Sequence, residues 1–183
     1  MFLQRATEAF AQGVAARFSY IGRAAVEEHE QNHSWRGPES WSVSGLRDAL
    51  LSWIDVDVEA ARPFVESMFK DDAEIIRRVA IYVLDARFEA LRNLYSAKVG
   101  PALFTTGHLH ELYNQLKNHF AEFSDEQKAA TLGAIRQVQA SAKVENPERT
   151  TKYLQGQWLS AISDKGYPEA DTLGLSASTS SRY

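Results

Sequence analysis

The sequence contains no cysteine, and this absence removes several classes of protein from consideration. Without thiols the chain has no disulfide scaffold, no cysteine nucleophile and no thiolate metal ligands, which fits a reducing compartment. It also lacks an apolar run approaching the roughly 18 residues that a membrane span needs. The first residues, MFLQR, lack the charged-then-apolar layout of a signal peptide. We therefore expect a cytoplasmic protein with no membrane segment.

The sequence also lacks a basic excess, because its 20 Lys and Arg residues are outnumbered by 24 Asp and Glu residues and the net charge is −4. Proteins that bind nucleic acid through its phosphates usually carry a positive excess that displaces counterions. The charge balance therefore argues against a general nucleic-acid binder. A local basic face would still permit a nucleic-acid-binding helical domain, which stays open as an alternative.

What the sequence does have is apolar residues at helical spacing along most of its length. In the central stretch Ile75, Val79 and Val83 recur every fourth residue, and Leu109, Leu112 and Leu116 recur at i, i+3 and i+7. Similar stripes before and after them predict about eight helices and no strand. A length of 183 residues suits a single core. We assign residues 1–168 to one α-helical repeat domain and residues 169–183 to an irregular tail.

Signals for helix starts separate these stripes by only a few residues. The predicted starts are Asp55 or Asp57, Asp71 with Asp72, Thr105 or Thr106, the capping box Ser124 with Gln127, and Asn146 with Pro147. Short links favour antiparallel neighbours, and helix pairs recur roughly every 30 to 40 residues. The predicted fold is therefore all-α, with stacked antiparallel helical hairpins forming a fragment of a HEAT-like right-handed solenoid.

The four tryptophans divide according to their surroundings in the sequence. Trp53 and Trp158 lie on apolar stripes and are expected to pack in the core. Residues 32–41 are rich in Asn, Ser, Gly and Pro and are predicted to form a loop that carries Trp35 and Trp41. These two rings either pack against helix ends or serve as exposed anchors for a partner.

One short motif has the spacing of a zinc site, since HEQNH at residues 29–33 fits the H-E-x-x-H pattern of zinc proteases. In such a site His29 and His33 would bind the metal and Glu30 would activate water. No histidine follows until His108, and Gly37 with Pro38 ends any helix within a turn of His33. A charged, solvated helix end is therefore the preferred interpretation, with His29 and His33 kept as the candidate metal ligands.

The remaining histidines do not complete a metal site on a helix. His108 and His110 are two residues apart, which turns them about 200° from each other, and His119 lies roughly 16 Å along the axis from His108. The chain also lacks a G-x-x-x-x-G-K-[ST] phosphate loop, a G-x-G-x-x-G motif and a G-x-S-x-G elbow. We therefore assign no catalytic residue and no cofactor, and expect a chain that is not itself an enzyme.

Several runs together resemble a known type of protein: AAVEEHEQNH, SGLRDALLSWIDVD, IIRRVAIYVLDARF, LHELYNQLKNHFAEFSDEQK and GQWLSAI. Their order, from about residue 26 to residue 162, resembles the helical-repeat regions that follow the ATPase core of large bacterial STAND-type NTPases, many of them antiphage defence proteins. The resemblance implies a HEAT-like or TPR-like scaffold or sensor surface. It also implies that the ATPase and effector domains lie in another part of a larger protein.

From this resemblance we expect a non-catalytic module for protein-protein interaction in a bacterial defence or signalling NTPase. Its partner would be a protein ligand or other domains of the same larger chain, with homo-oligomer formation through the parent protein left open. Two alternatives remain, a zinc-dependent hydrolase using the HEQNH stretch and a nucleic-acid-binding helical domain.

Overall fold

The computed structural model describes residues 26–27, 38–104 and 109–163, and within these ranges it is helical. It has seven α-helices, two 3-10 turns and no strand there, which confirms the all-α class for this part of the chain. The helices are α1 (Pro38–Val56), α2 (Val58–Met68), α3 (Glu74–Ala86), α4 (Phe88–Lys98), α5 (Leu109–His119), α6 (Asp125–Arg136) and α7 (Pro147–Ser163). The 3-10 turns are Pro101–Phe104 and Phe120–Glu122. None of these helices has the length and apolarity needed to cross a membrane.

The chain divides into two compact units, unit 1 (Met1–Tyr95) and unit 2 (Ser96–Tyr183). In unit 1, helices α1, α2 and α3 each contact the other two. In unit 2, α5 and α6 both pack against α7, and the 3-10 turn Pro101–Phe104 lies against α6. The single repeat domain over residues 1–168 and the solenoid arrangement of the helices stay predictions.

The core of unit 1 is built from the apolar stripes that the sequence shows. On α1 the stripe Val43, Leu46, Leu50 and Ile54 is buried at every position. On α3 the buried set extends beyond the apolar stripe to Arg78 and Ile81. Helix α3 is therefore covered over most of its circumference. Each aliphatic side chain that is buried in this way contributes roughly 1.5–3 kcal/mol of transfer free energy.

The core of unit 2 is centred on Trp158, which is 1% exposed. Its indole Nε1 donates a hydrogen bond to the carbonyl oxygen of Phe104 at 3.2 Å, and the two rings meet edge to face with centroids 5.4 Å apart. This confirms the predicted core position of Trp158. Trp53, in unit 1, is half-buried, with its ring centroid 5.8 Å from that of Phe64.

Three of the predicted helix starts are confirmed by hydrogen bonds. The carboxylate of Asp57 accepts from the amide of Ala60, and Asn146 Oδ1 accepts from the amide of Arg149. Ser124 and Gln127 form the reciprocal capping box, each side chain accepting from the other residue's amide. These contacts satisfy amides in the first turn that have no partner within the helix.

Two predictions about helix starts are wrong. Helix α3 has Ala73 as its N-cap with no side-chain cap, because the Asp71 carboxylate accepts instead from the amide of Ala73 in the preceding turn. The predicted loop up to Trp41 is also too long, because α1 already begins at Pro38. Proline favours the first helical position, where its missing amide hydrogen has no intrahelical partner to lose.

Several predictions concern residues outside the described ranges. They are the loop position of Trp35, the helix start at Thr105 or Thr106 and the tail 169–183.

Candidate interaction surfaces

The histidines of the zinc hypothesis lie outside the part of the chain that the structure describes, so His29 and His33 keep the status of a sequence prediction, together with Glu30. Of the other histidines, His110 is exposed and His119 Nδ1 lies 3.4 Å from Glu122 Oε2. Across residues 26–27, 38–104 and 109–163, no three His, Asp or Glu side chains come together to hold a metal ion.

The first candidate surface is the outward side of α1, which we call the α1 outer face: Trp41, Gly45, Ala49, Ser52 and Val56. All five residues are exposed, Trp41 at 65% and Val56 at 86%. At 100° per residue they fall within an arc of about 80°. The face therefore has a large apolar side chain at each end and small residues between them.

The α1 outer face is exposed because the opposite side of the same helix forms the core. Val43, Leu46, Leu50 and Ile54 are buried there, and their direction is roughly 150° away from the centre of the exposed stripe. A Cβ atom built on Gly45 would meet nothing within 4 Å, so the middle of the face is open. A partner backbone can approach closely between Trp41 and Val56.

Two carboxylates lie along one edge of the α1 outer face, and each is held by an arginine. Asp48 Oδ1 accepts from Arg47 Nε at 2.7 Å, and the same guanidinium donates to the carbonyl oxygen of Val26 at 2.8 Å. Asp55 accepts two hydrogen bonds from Arg87. The hydrogen bond to Arg87 holds the pKa of Asp55 below its ordinary value, against an opposing effect of desolvation. This edge of the face is therefore charged but locally neutralised.

The second candidate surface belongs to unit 2 and lies at the junction of α6 and α7. We call it the basic corner: Arg136, Lys143, Arg149, Lys152 and the exposed ring of Tyr153. Tyr153 is 64% exposed although it lies on a helix whose opposite side carries the buried Trp158 and Ile162. This corner presents cations and an aromatic ring on the same part of the chain.

Two buried glutamines in unit 2 have contrasting surroundings. Gln127 is 6% exposed and fully engaged, with Oε1 accepting from the amide of Ser124 and Nε2 donating to Ser96 Oγ at 2.8 Å. Gln115, on α5, is completely buried, and neither its Oε1 nor its Nε2 has a hydrogen-bond partner among the described residues. Burial of an amide without partners is unfavourable, so we expect the amide of Gln115 to lower the free energy of unfolding.

Sequence reasoning identified only part of these surfaces. It named Trp41 as a candidate anchor but placed it in a loop, and it did not recognise Gly45, Ala49 and Ser52 as one face. Their spacing of four, four, three and four residues from Trp41 to Val56 is a helical signal, which is visible once α1 is extended back to Pro38. The basic corner was not predicted, because its cations were considered only as part of the net negative charge of the whole chain.

Comparison of the chain with protein-family models, curated proteins and solved structures gives no match. The functional conclusion therefore depends on the residues described above and on the resemblance of the sequence runs.

Proposed function

We propose that this chain is a non-catalytic helical module for protein-protein interaction, and that it acts as a sensor or scaffold part of a larger bacterial defence or signalling NTPase. Stacked helical hairpins of a HEAT-like solenoid would supply a fixed surface for the partner. Binding of a protein ligand there would then bias the arrangement of the ATPase to which the module is attached.

The observation that carries the proposal is the exposed position of Trp41 on the α1 outer face. Tryptophan is the residue most enriched among those that dominate binding energy in protein interfaces, and it usually inserts into a pocket of the partner. Here the ring projects from the first part of a helix whose other side is anchored in the core. Small residues follow it along the helix, and they allow a partner backbone to lie against α1.

The chemistry of the described residues also favours binding over catalysis. The carboxylates along the edge of the α1 outer face are engaged by Arg47 and Arg87, and the fully buried amide of Gln115 has no hydrogen-bond partner among the described residues. A catalytic centre would require two or more reactive groups within hydrogen-bond reach of one substrate position. Surface complementarity is the function that the exposed residues support best.

The test is affinity purification of the tagged chain from the cells that encode it, after in-cell crosslinking and with mass spectrometry of the bound proteins. We expect at least one protein that is captured by the wild type and strongly reduced with Trp41→Ala. Trp41→Phe retains an aromatic ring and should retain part of the binding. Lys70→Ala, at an exposed position in the turn after α2, is the control and should capture the partner as the wild type does.

Trp41→Ala must leave the fold intact for this comparison to be informative. The ring is mostly in solvent, so its removal should change the free energy of unfolding by no more than about 0.5 kcal/mol. Far-ultraviolet circular dichroism with urea unfolding checks this directly. Capture of the same proteins in the same amounts by wild type and Trp41→Ala would contradict the assignment of the α1 outer face.

A further inference from the structure

The side chains of the basic corner's cations have no partner among the residues that the structure describes, unlike several described arginines of unit 1. Arg136, Lys143, Arg149 and Lys152 are all exposed, and none makes an ion pair or a side-chain hydrogen bond in the part of the chain that the structure describes. In unit 1, by contrast, the guanidinium groups of Arg62, Arg87 and Arg92 are paired with carboxylates, as is that of Arg47.

The exposed cations that have no partner among the described residues are concentrated in one stretch of the chain. Two further exposed lysines, Lys70 and Lys117, have no side-chain partner among the described residues, and they are far from each other in the sequence. Between residues 136 and 152 four cations accompany only two carboxylates, Glu145 and Glu148, although the whole chain has a net charge of −4. The basic corner is therefore a positive region in an acidic protein.

The chain that leaves α6 is attached to α7 as far as Ala140. The amide of Ala140 donates to Thr151 Oγ1 at 2.9 Å, and Gln155 Nε2 donates to the carbonyl oxygens of Arg136 and Val138 at 3.1 and 3.0 Å. These three hydrogen bonds attach the end of α6 and the following segment to successive turns of α7. Arg136, Arg149 and Lys152 are therefore displayed from backbone segments that these hydrogen bonds join.

On α7 itself, the cations and the aromatic ring share one side. Arg149, Lys152 and Tyr153 fall within an arc of about 100°, opposite to the buried Trp158. The hydroxyl oxygen of Tyr153 accepts a hydrogen bond from Gln157 Nε2 at 3.1 Å, which leaves its own proton available for donation. The side thus offers positive charge and hydrogen-bond donors around an exposed ring.

We infer that the basic corner binds an acidic protein segment that alternates carboxylates with an apolar side chain. Carboxylates of such a segment would accept hydrogen bonds from Arg149, Lys152 and the hydroxyl of Tyr153. Its apolar side chain would pack on the ring of Tyr153, with Val144, which is 37% exposed, as a second apolar contact. This inference names the class of partner and rests on the proposed interaction function.

A protein segment fits this surface better than a nucleic acid does. Glu145 and Glu148 are exposed among the cations and would repel a continuous run of phosphates. An acidic peptide can place a neutral or apolar residue opposite those two positions, whereas a phosphodiester backbone carries a charge at every step.

The test is fluorescence anisotropy with the full chain and three labelled probes: a peptide of repeated Glu-Glu-Leu, a matched peptide of repeated Gln-Gln-Leu, and an oligothymidylate. At about 50 mM salt we expect binding of the acidic peptide in preference to the other two, and weaker binding at about 200 mM salt. The double variant Arg149→Gln with Lys152→Gln should weaken this binding at least about fivefold, since each exposed charge pair adds modestly. Tyr153→Ala should weaken it as well.

The matched control is Lys70→Gln with Lys117→Gln, which removes the same number of charges at exposed positions outside the basic corner. It should bind the acidic peptide as tightly as the wild type. Equal loss in both double variants would show that only net charge matters and would overturn the inference. Preference for the oligothymidylate, or no binding of the acidic peptide at low salt, would overturn it too.

Failure of this inference is distinguishable from failure of the proposed function. The inference alone would fail if the chain did not bind the acidic peptide and if a cellular partner were lost with Trp41→Ala but retained by Arg149→Gln with Lys152→Gln. The interaction function would then still stand. The absence of any captured protein would contradict the interaction function itself.

Discussion

Arg87 donates two parallel hydrogen bonds to the carboxylate of Asp55, from Nε to Oδ1 at 2.6 Å and from Nη2 to Oδ2 at 2.7 Å. Asp55 lies in the last turn of α1, and Arg87 lies between α3 and α4. The pair therefore fixes the end of the helix that carries the α1 outer face. Among surface ion pairs, those with bidentate geometry of this kind are the ones expected to contribute measurably to the free energy of unfolding.

The lowered pKa of Asp55 makes this contribution depend on pH. Because the folded-state pKa lies below its ordinary value of 3.8, the stabilisation is fully present above that value and is lost as the pH falls through the folded-state pKa. We expect Asp55→Asn to lower the free energy of unfolding near neutral pH and to have a smaller effect in acid. Urea unfolding of wild type and variant over this pH range measures the difference.

Asp72→Asn is the control for that experiment, because Asp72 is an exposed carboxylate whose side chain makes no hydrogen bond or ion pair in the described ranges. The effect of Asp72→Asn on the free energy of unfolding should not be larger near neutral pH than in acid. A pH-independent difference between wild type and Asp55→Asn would show that the ion pair adds no net stability.

The two buried glutamines of unit 2 should respond in opposite directions to the same substitution. Gln115→Met replaces an amide without partners by an apolar side chain of similar size, and should raise the free energy of unfolding by about 1 kcal/mol. Gln127→Met removes the hydrogen bonds to Ser124 and Ser96, and should lower it by about 1–2 kcal/mol. Urea unfolding followed by circular dichroism compares them. A loss of stability in both variants would refute the different roles of the two side chains.

Trp158 is buried and also donates a specific hydrogen bond, and both features should contribute to the free energy of unfolding. Trp158→Phe keeps an aromatic ring but removes the donor to the Phe104 carbonyl oxygen and leaves part of the space empty. We expect the free energy of unfolding to fall by about 2–3 kcal/mol. Trp53→Phe, at a half-buried position, is the control and should have a smaller effect in the same assay. Equal effects would show that the hydrogen bond and full burial add little.

The interaction account also makes a prediction about metal content. Protein purified without chelators should contain no stoichiometric zinc by inductively coupled plasma mass spectrometry, because HEQNH is interpreted as a charged helix end. Stoichiometric zinc that disappears in His29→Ala and in His33→Ala would support the hydrolase alternative instead. Zinc that persists in both variants would point to ligands other than this motif.

The sequence was sufficient for the elements whose signals are local. Burial of Ile76, Val79 and Leu50 follows from helical spacing alone, and the capping box at Ser124 follows from two residues three positions apart. The start of α1 was not predicted, because Pro38 signals both a turn and a first helical position. Only the remaining residues of the helix decide between the two.

The candidate surfaces were harder to predict because they depend on what the chain leaves uncovered. The pairing of Asp55 with Arg87 joins residues 32 positions apart, and no local pattern indicates it. That Arg149 and Lys152 have no side-chain partner among the described residues likewise becomes visible only when the neighbours of each side chain are known. The periodicity of apolar residues in the sequence locates a core. An exposed candidate face, by contrast, is recognised only when the contacts of its side chains are known.

The measurement that tests the central claim most directly is calorimetric titration of the captured partner into wild type and Trp41→Ala. If the α1 outer face is the interaction surface, the loss of its anchoring ring should raise Kd by about 30-fold, which corresponds to about 2 kcal/mol for a residue that dominates an interface. Equal Kd values for wild type and Trp41→Ala would contradict the account.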